Sequence, residues 1–163
     1  DGQLINIESF KFKDGPSRAS RVVSDGDSII STVRTYLRSI GYIASPEDDL
    51  IVSTGFAVCT PYEKLVDKEF LQYAVRSNYF IEKVVSNSYG VSYPAITAER
   101  LGCHKIILPN TIGEQKNIVS FIKAELSVLD TAIDKAKQQI TFIKEYRDSM
   151  ITQAVTGQIE IKE

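Results

Sequence analysis

The sequence predicts an α+β fold: a mixed α/β domain followed by a long C-terminal coiled-coil helix. Three observations predict it. From Ile112 to Val155 there is no proline, and apolar residues return at helical spacing. Residues 28–33 and 56–60 are short apolar runs, rich in β-branched side chains and closed by turn residues. Strand-like and helix-like stretches also mix without a regular βαβ rhythm, which argues against a parallel sheet. A chain of 163 residues has room for one compact domain plus the helix. The expected division is a head at 1–111, the long helix at 112–157 and a tail at 158–163.

Taken in order, Leu4, Ile5, Ile7, Phe10 and Phe12 alternate loosely with polar residues, as one or two short strands would. Asp14-Gly15-Pro16-Ser17 breaks them. Asp25-Gly26-Asp27 is a turn, and Ser28–Val33 after it reads as a buried strand. Gly41–Ala44 returns as the second strand of a hairpin whose loop carries Arg34, Thr35, Tyr36 and Arg38. Ser45-Pro46-Glu47-Asp48 turns the chain, and Ser53-Thr54-Gly55 leads into a strand at Phe56–Thr60, ended by Pro61. The period then changes. Asp67 suits a helix cap, with Phe70, Leu71, Ala74 and Val75 on one face. A second helix fits Tyr79–Val85, Thr97–Arg100 reads as a capped single turn, and Lys105–Pro109 as a last strand.

The long helix then begins, and Thr156-Gly157 stops it. Its length would be roughly 65 Å at about 1.5 Å per residue. Leu129, Ile133, Ala136, Ile140, Ile143, Arg147, Met150 and Ala154 follow one another in alternating steps of four and three. That is the 3.5-residue period of a coiled-coil seam, and it predicts a partner helix. Arg147 interrupts the seam, where it can snorkel its charge outward or fix the register. The segment before Leu129 fits the seam less well and is expected to pack on its own domain.

Composition excludes more than it nominates. Apolar and charged fractions of 43% and 25% are those of an ordinary globular protein. Apolar runs are only a few residues long, too short for a membrane span. No charged-then-apolar leader opens the chain, and it starts mid-pattern on Asp1-Gly2-Gln3-Leu4, as a fragment would. Cys59 and Cys103 lie on separate apolar segments and read as buried thiols of a reducing, cytoplasmic setting. The net charge is -2, yet residues 11–38 carry Lys11, Lys13, Arg18, Arg21, Arg34 and Arg38 against three aspartates. Local concentration of positive charge, rather than the total, is what nucleic acid would need.

Catalytic patterns are missing. His104, the single histidine, has only Cys103 beside it, and no other ligands stand at metal-binding spacing. Ser53-Thr54-Gly55 lacks the glycines of a nucleophile elbow, no phosphate-cradling glycine loop occurs, and Glu47-Asp48-Asp49 reads as a solvated turn. Two loops stand out instead. Arg34-Thr35-Tyr36-Leu37-Arg38 sets two guanidinium groups and a phenol at a hairpin tip, chemistry suited to guanine edges or phosphates. A solubilising surface hairpin is the plain alternative. Asn87–Ile96 interleaves Tyr89, Ser92 and Tyr93 with amide and hydroxyl groups. It suits hydrogen bonding to a polar partner, or a rigid Tyr93-Pro94 corner with Ile96 as a core anchor.

Several stretches together resemble one family. They are Gly26–Tyr36, Val52–Val58, Phe70–Tyr73, Gly90–Ile96, the Leu108-Pro109 to Glu114-Gln115-Lys116 helix start, and Gln153–Gly157. In that order they are similar to the specificity subunits of type I restriction-modification systems. The resemblance implies target-recognition domains, each followed by a long helix, with the helices packed antiparallel to space two half-sites on double-stranded DNA. It implies no chemistry and no cofactor in this chain. S-adenosylmethionine, ATP and Mg²⁺ would serve partner modification (methyltransferase) and restriction (motor-nuclease) subunits. Arg34, Tyr36, Arg38, Tyr89, Ser92 and Tyr93 would lie near the DNA groove, and Lys11, Lys13, Arg18 and Arg21 would steer to phosphates. The long helix would pair with a second specificity half or with its own copy. Thr35 and Asn110 stand where the family usually has proline, and less chain precedes Gly26-Asp27 than usual. The competing readings are a head-plus-coiled-coil interaction module without DNA binding, and a single-chain DNA-modifying enzyme.

Overall fold

The computed structural model describes residues 2, 4, 7–47 and 49–159. Along the chain run β1 (Ala19–Val22), β2 (Ser28–Ser31), β3 (Ile40–Tyr42), β4 (Ile51–Ser53), β5 (Phe56–Cys59), α1 (Lys68–Arg76), α2 (Asn78–Ser86), α3 (Ala98–Gly102) and α4 (Ile112–Val155). Short 3₁₀ turns sit at Phe12–Asp14 and Thr35–Leu37. The chain divides into two compact units, Asp1–Val119 and Ser120–Glu163.

The first unit is built around β2. It pairs antiparallel with β3 on one side and β5 on the other, in the order β3-β2-β5. Successive strand residues face opposite ways, so the neighbours Ile29 and Ile30 enter different cores. Ile29 packs with Val23 and Ile43, against which Leu50, Val52, Phe56 and Val58 lean. Ile30 packs with Leu71, Val75, Phe80, Val84 and Leu101, from the apolar faces of the helices, and with Ile96 ahead of α3. A strand buried on both faces need not alternate polar and apolar residues; the adjacent Ile29 and Ile30 in the mostly apolar stretch Ser28–Val33 made it legible.

Capping sets the helix limits. The Asp67 carboxylate accepts from the amides of Glu69 and Phe70, both at 3.0 Å, and opens α1. Ser77 caps α2 by accepting from the Phe80 amide, and Thr97 caps α3 by accepting from the Arg100 amide. Thr111 and Glu114 form a reciprocal capping box at the head of α4: the Glu114 amide donates to Thr111 Oγ1, and the Thr111 amide donates to Glu114 Oε2. Gln115, only 1% exposed, then fastens the first turn to the domain. Its Nε2 donates to the Leu65 carbonyl at 2.9 Å and its Oε1 accepts from the Asp67 amide at 2.8 Å. Val119 is buried as well. The helix ends where Gly157 turns the chain with φ +70°.

Three expectations need correction, and two strands went unforeseen. No strand occurs among the described residues of the Leu4–Phe12 stretch; residues 7–11 are irregular and a 3₁₀ turn follows, while Ile5 lies outside the described residues. Lys105–Pro109 is irregular, with Ile107 and Leu108 exposed; its run of apolar residues finds no strand to pair with among the described residues. Two strands were not foreseen: β1 and β4 pair only with each other, with a register shift between Ala19 and Arg21. Cys103 is exposed at the end of α3, since Leu101 is the residue that turns inward, and both thiols are free. No helix of the described residues is long and apolar enough to cross a membrane.

Candidate nucleic-acid interface

The hairpin tip has an unusual backbone. Arg34 and Arg38 flank the 3₁₀ turn Thr35–Leu37, and both adopt the left-handed conformation, with φ of 53° and 55°. For residues with a Cβ this costs about 1–2 kcal/mol each. It persists because the surroundings fix it. The Arg38 amide donates to the Thr35 carbonyl, and Arg38 Nη1 donates to Asn78 Oδ1 at 2.6 Å, at the start of α2. Thr35, buried, shares a 2.8 Å hydrogen bond with the Ser88 hydroxyl.

That last contact joins the tip to the second loop, more than fifty positions later in the chain. Beyond β2 the strand direction continues as residues 32–34 meeting 94–96. The Ile96 amide donates to the Thr32 carbonyl at 2.9 Å, Val33 bridges Ala95, and the Arg34 amide donates to the Pro94 carbonyl at 2.7 Å. Tyr89 and Ala95 exchange both main-chain hydrogen bonds, at 2.9 and 2.8 Å, and so close a finger over residues 90–94. The guanidinium of Arg34 lies 4.4 Å from the ring centre of Tyr93, and that of Arg100 lies 4.6 Å from the ring centre of Tyr89. Such stacks contribute roughly 0.5–1 kcal/mol at exposed sites. The two loops therefore meet, and Arg34, Tyr36, Arg38, Tyr89, Ser92 and Tyr93, which they carry, are all exposed.

The remaining cations foreseen from the sequence sit apart from this cluster. Lys11 precedes the 3₁₀ turn at Phe12–Asp14 and Lys13 lies within it, both exposed. Arg18 leads into β1, and its Nε donates to Thr54 Oγ1 at 3.4 Å. Arg21 lies in β1, partly withdrawn, with its Nε buried. Arg18 and Arg21 belong to the β1–β4 ladder; no hydrogen bond or ring contact joins any of the four to the tip or the finger among the described residues. Sequence reasoning missed Asn78 and Arg100. A signal for Asn78 was its place directly after a capping serine, but nothing local pairs Arg100 with Tyr89.

The histidine is structural: His104 Nδ1 lies 2.8 Å from the Arg100 carbonyl, its Nε2 lies 3.2 Å from the Lys83 carbonyl, and its ring meets Phe80 edge-on. Among the described residues no three His, Cys, Asp or Glu side chains are grouped as a metal site. Burial, helped by the Asp27 carboxylate, pushes the Cys59 thiol up to about 11, so it is no nucleophile at neutral pH.

In the second unit, α4 runs on through residues 120–155. Leu129, Ile133, Ile140, Ile143, Arg147 and Met150 are exposed along it, and Ala154 is half-exposed. Ala136 is exposed too.

A family model described as the type I restriction modification DNA specificity domain matches residues 5–143. The chain belongs to this family. Among relatives of this specificity domain, the type I restriction enzyme HindI specificity subunit of Haemophilus influenzae is 26% identical over 144 residues, covering 86% of this chain and 31% of the relative. The crystal structure of the HsdS subunit from Thermoanaerobacter tengcongensis superposes with a TM-score of 0.71 at 31% identity, covering 80% of this chain and 34% of that one. A second structure, described by complex assembly and conformational transition of the type I R-M system, reaches a TM-score of 0.73 at 24% identity, covering 98% and 40%. At that identity it bears on the fold alone. This specificity domain spans about a third of the length of the curated relative, and it has their α+β architecture with a long C-terminal helix.

Proposed function

We propose that this chain is the sequence-reading part of a type I specificity subunit, with residues 1–111 as the DNA target-recognition domain, 112–157 as the spacer helix and 158–163 as a tail. The domain docks on double-stranded DNA through the hairpin tip and the finger. Arg34 and Arg38 address base edges or phosphates, and Tyr36, Tyr89, Ser92 and Tyr93 add hydrogen bonds and apolar contact. Lys11, Lys13 and Arg18 act at longer range on phosphates, and Arg21, being partly withdrawn, acts least. The observation that carries the reading is the joining of two loops, distant in sequence, into one exposed surface of arginines and tyrosines in a chain of this family.

The chain does no chemistry on this reading and holds no cofactor. Modification subunits methylate adenine with S-adenosylmethionine, and a restriction subunit using ATP and Mg²⁺ cuts. The seam from Leu129 to Ala154 pairs antiparallel with a second specificity half or with its own copy, and the helix also docks the modification subunits. All of this takes place in the cytoplasm. A bridging module without DNA binding would use the same exposed seam, but it leaves the strained arginine tip without a role.

The test is co-expression with the modification subunit followed by genome-wide mapping of methylated adenines. A bipartite motif supports a two-half subunit, and a palindromic motif supports a homodimer of halves. Methylation without any motif, or a motif unmoved by Arg34→Ala together with Arg38→Ala, counts against the reading.

A further inference from the structure

The finger over residues 90–94 is held at both ends by an arginine on a tyrosine. Arg34, from the hairpin tip, holds Tyr93. Arg100 holds Tyr89 twice: its guanidinium lies over the ring, and its Nη2 donates to the phenol oxygen at 3.0 Å. A guanidinium that both stacks and hydrogen-bonds has two geometric constraints on one ring, so the ring has little freedom left.

Arg100 can do this because its own position is fixed. It sits in α3, whose cap Thr97 accepts from the Arg100 amide at 3.2 Å. Leu101, the next residue, is in the core at 2% exposure. His104 then ties the end of α3 to α2, with one ring nitrogen beside the Arg100 carbonyl and the other beside the Lys83 carbonyl. The support for Arg100 is thus a packed leucine and a bridging imidazole. Inside the finger, Gly90 has φ +118°, and Val91 at its tip is wholly exposed. Among the described residues no hydrogen bond or ring contact braces Val91 or Ser92. The finger's direction is set from its two ends.

We propose that Arg100 is a positioning residue for sequence reading: by fixing Tyr89 it sets the direction of the finger tip toward the base edges. The inference rests on the DNA-recognition reading above. Base contacts need side chains held in one geometry, whereas phosphate attraction tolerates a mobile loop. A finger ordered before binding loses less freedom on meeting its correct site. Loss of Arg100 therefore lowers the preference for the correct sequence and leaves the general affinity for DNA in place.

The experiment uses the full chain assembled with its modification subunits. Duplexes carrying the motif found by methylation mapping are compared with scrambled duplexes over a salt series. Arg100→Ala should lower the preference for the motif about five- to tenfold, the loss expected of one stack and one hydrogen bond. Affinity for scrambled duplex and the salt slope should stay unchanged. Arg100→Lys, which keeps a cation over the ring, should recover part of the preference. In a Tyr89→Ala background, Arg100→Ala should have no further effect. In the DNA-free protein, Arg100→Ala should also speed amide exchange at Tyr89 and Ala95.

Uniform weakening on all duplexes with a salt slope reduced by about one would make Arg100 a phosphate contact and overturn the proposal. A selective wild type whose preference is untouched by Arg100→Ala overturns it as well, while leaving the recognition reading standing. A persistent effect in the Tyr89→Ala background shows that Arg100 does not act through that ring. A wild type with no preference at all removes the recognition reading first and this inference with it.

Discussion

A methyl group on Gly90 would meet the Tyr93 carbonyl oxygen at 3.0 Å, and the backbone there has φ +118°, a region L-residues rarely enter. Gly90→Ala should destabilise the domain by about 1–3 kcal/mol in a urea denaturation series, and should loosen the finger. The cysteines give a second prediction at this scale. The Cys59 thiol is raised by burial and by the nearby Asp27 carboxylate, from an ordinary 9.0 to about 11. A thiol raised in the folded state favours the protonated form. Its share of stability is complete below pH 9.0 and is lost as pH rises toward 11. At neutral pH a thiol reagent should modify exposed Cys103 readily, and Cys59 only once the protein unfolds; mass spectrometry of the labelled peptides reads this directly. Sequence alone could rank Gly90 as a turn former, but not these two cysteines. Their difference depends on Leu101 taking the inward position at the end of α3, which is a fact of packing.

At the scale of elements, Gln115 connects α4 to the domain more firmly than any apolar contact would show. Gln115→Ala strands two main-chain groups, the Leu65 carbonyl and the Asp67 amide, and creates a void. It should cost about 2–4 kcal/mol, read as a lower denaturation midpoint. Gln115→Glu should not rescue it, because the carboxylate cannot donate to the Leu65 carbonyl. The limits of α4 were legible because both ends have local signals, a Thr-x-x-Glu box at Thr111–Glu114 and a glycine at 157. The strand β2 was legible from its apolar run. The ladder of β1 and β4 was not, because Ala19, Ser20 and Val22 are exposed and show no alternation, and because a register shift breaks the pattern. Lys105–Pro109 failed in the opposite direction. Its β-branched residues favour a strand, but a strand exists only where an edge is available to pair with it. The candidate site shows the same division. The tip and the finger are each visible as loops in sequence, whereas their union through Thr35–Ser88 and the Arg100–Tyr89 contact belongs to tertiary structure.

For the molecule as a whole, stability is uneven. The Asp1–Val119 unit has two buried clusters, and from Ser120 onward α4 buries no residue among those described. A helix without a packed face is marginal in water. Amide exchange should therefore be slow through β2, β5 and α1 and much faster beyond residue 120, and it should slow there when a partner helix is bound. Ile140→Glu combined with Ile143→Glu should abolish that protection and any self-association seen by sedimentation, while the melting of the Asp1–Val119 unit stays unchanged; retained association would put the pairing face elsewhere. The left-handed arginines at the hairpin tip have a last consequence, for directed evolution. Glycine or asparagine at positions 34 and 38 would relieve the backbone at once. A library selected for heat resistance alone should therefore drift toward those residues, and on the proposed reading it would lose DNA discrimination as it gains melting temperature. On that reading, the positions where such a selection and a selection for restriction disagree would mark the proposed DNA-facing surface, without any DNA complex being solved.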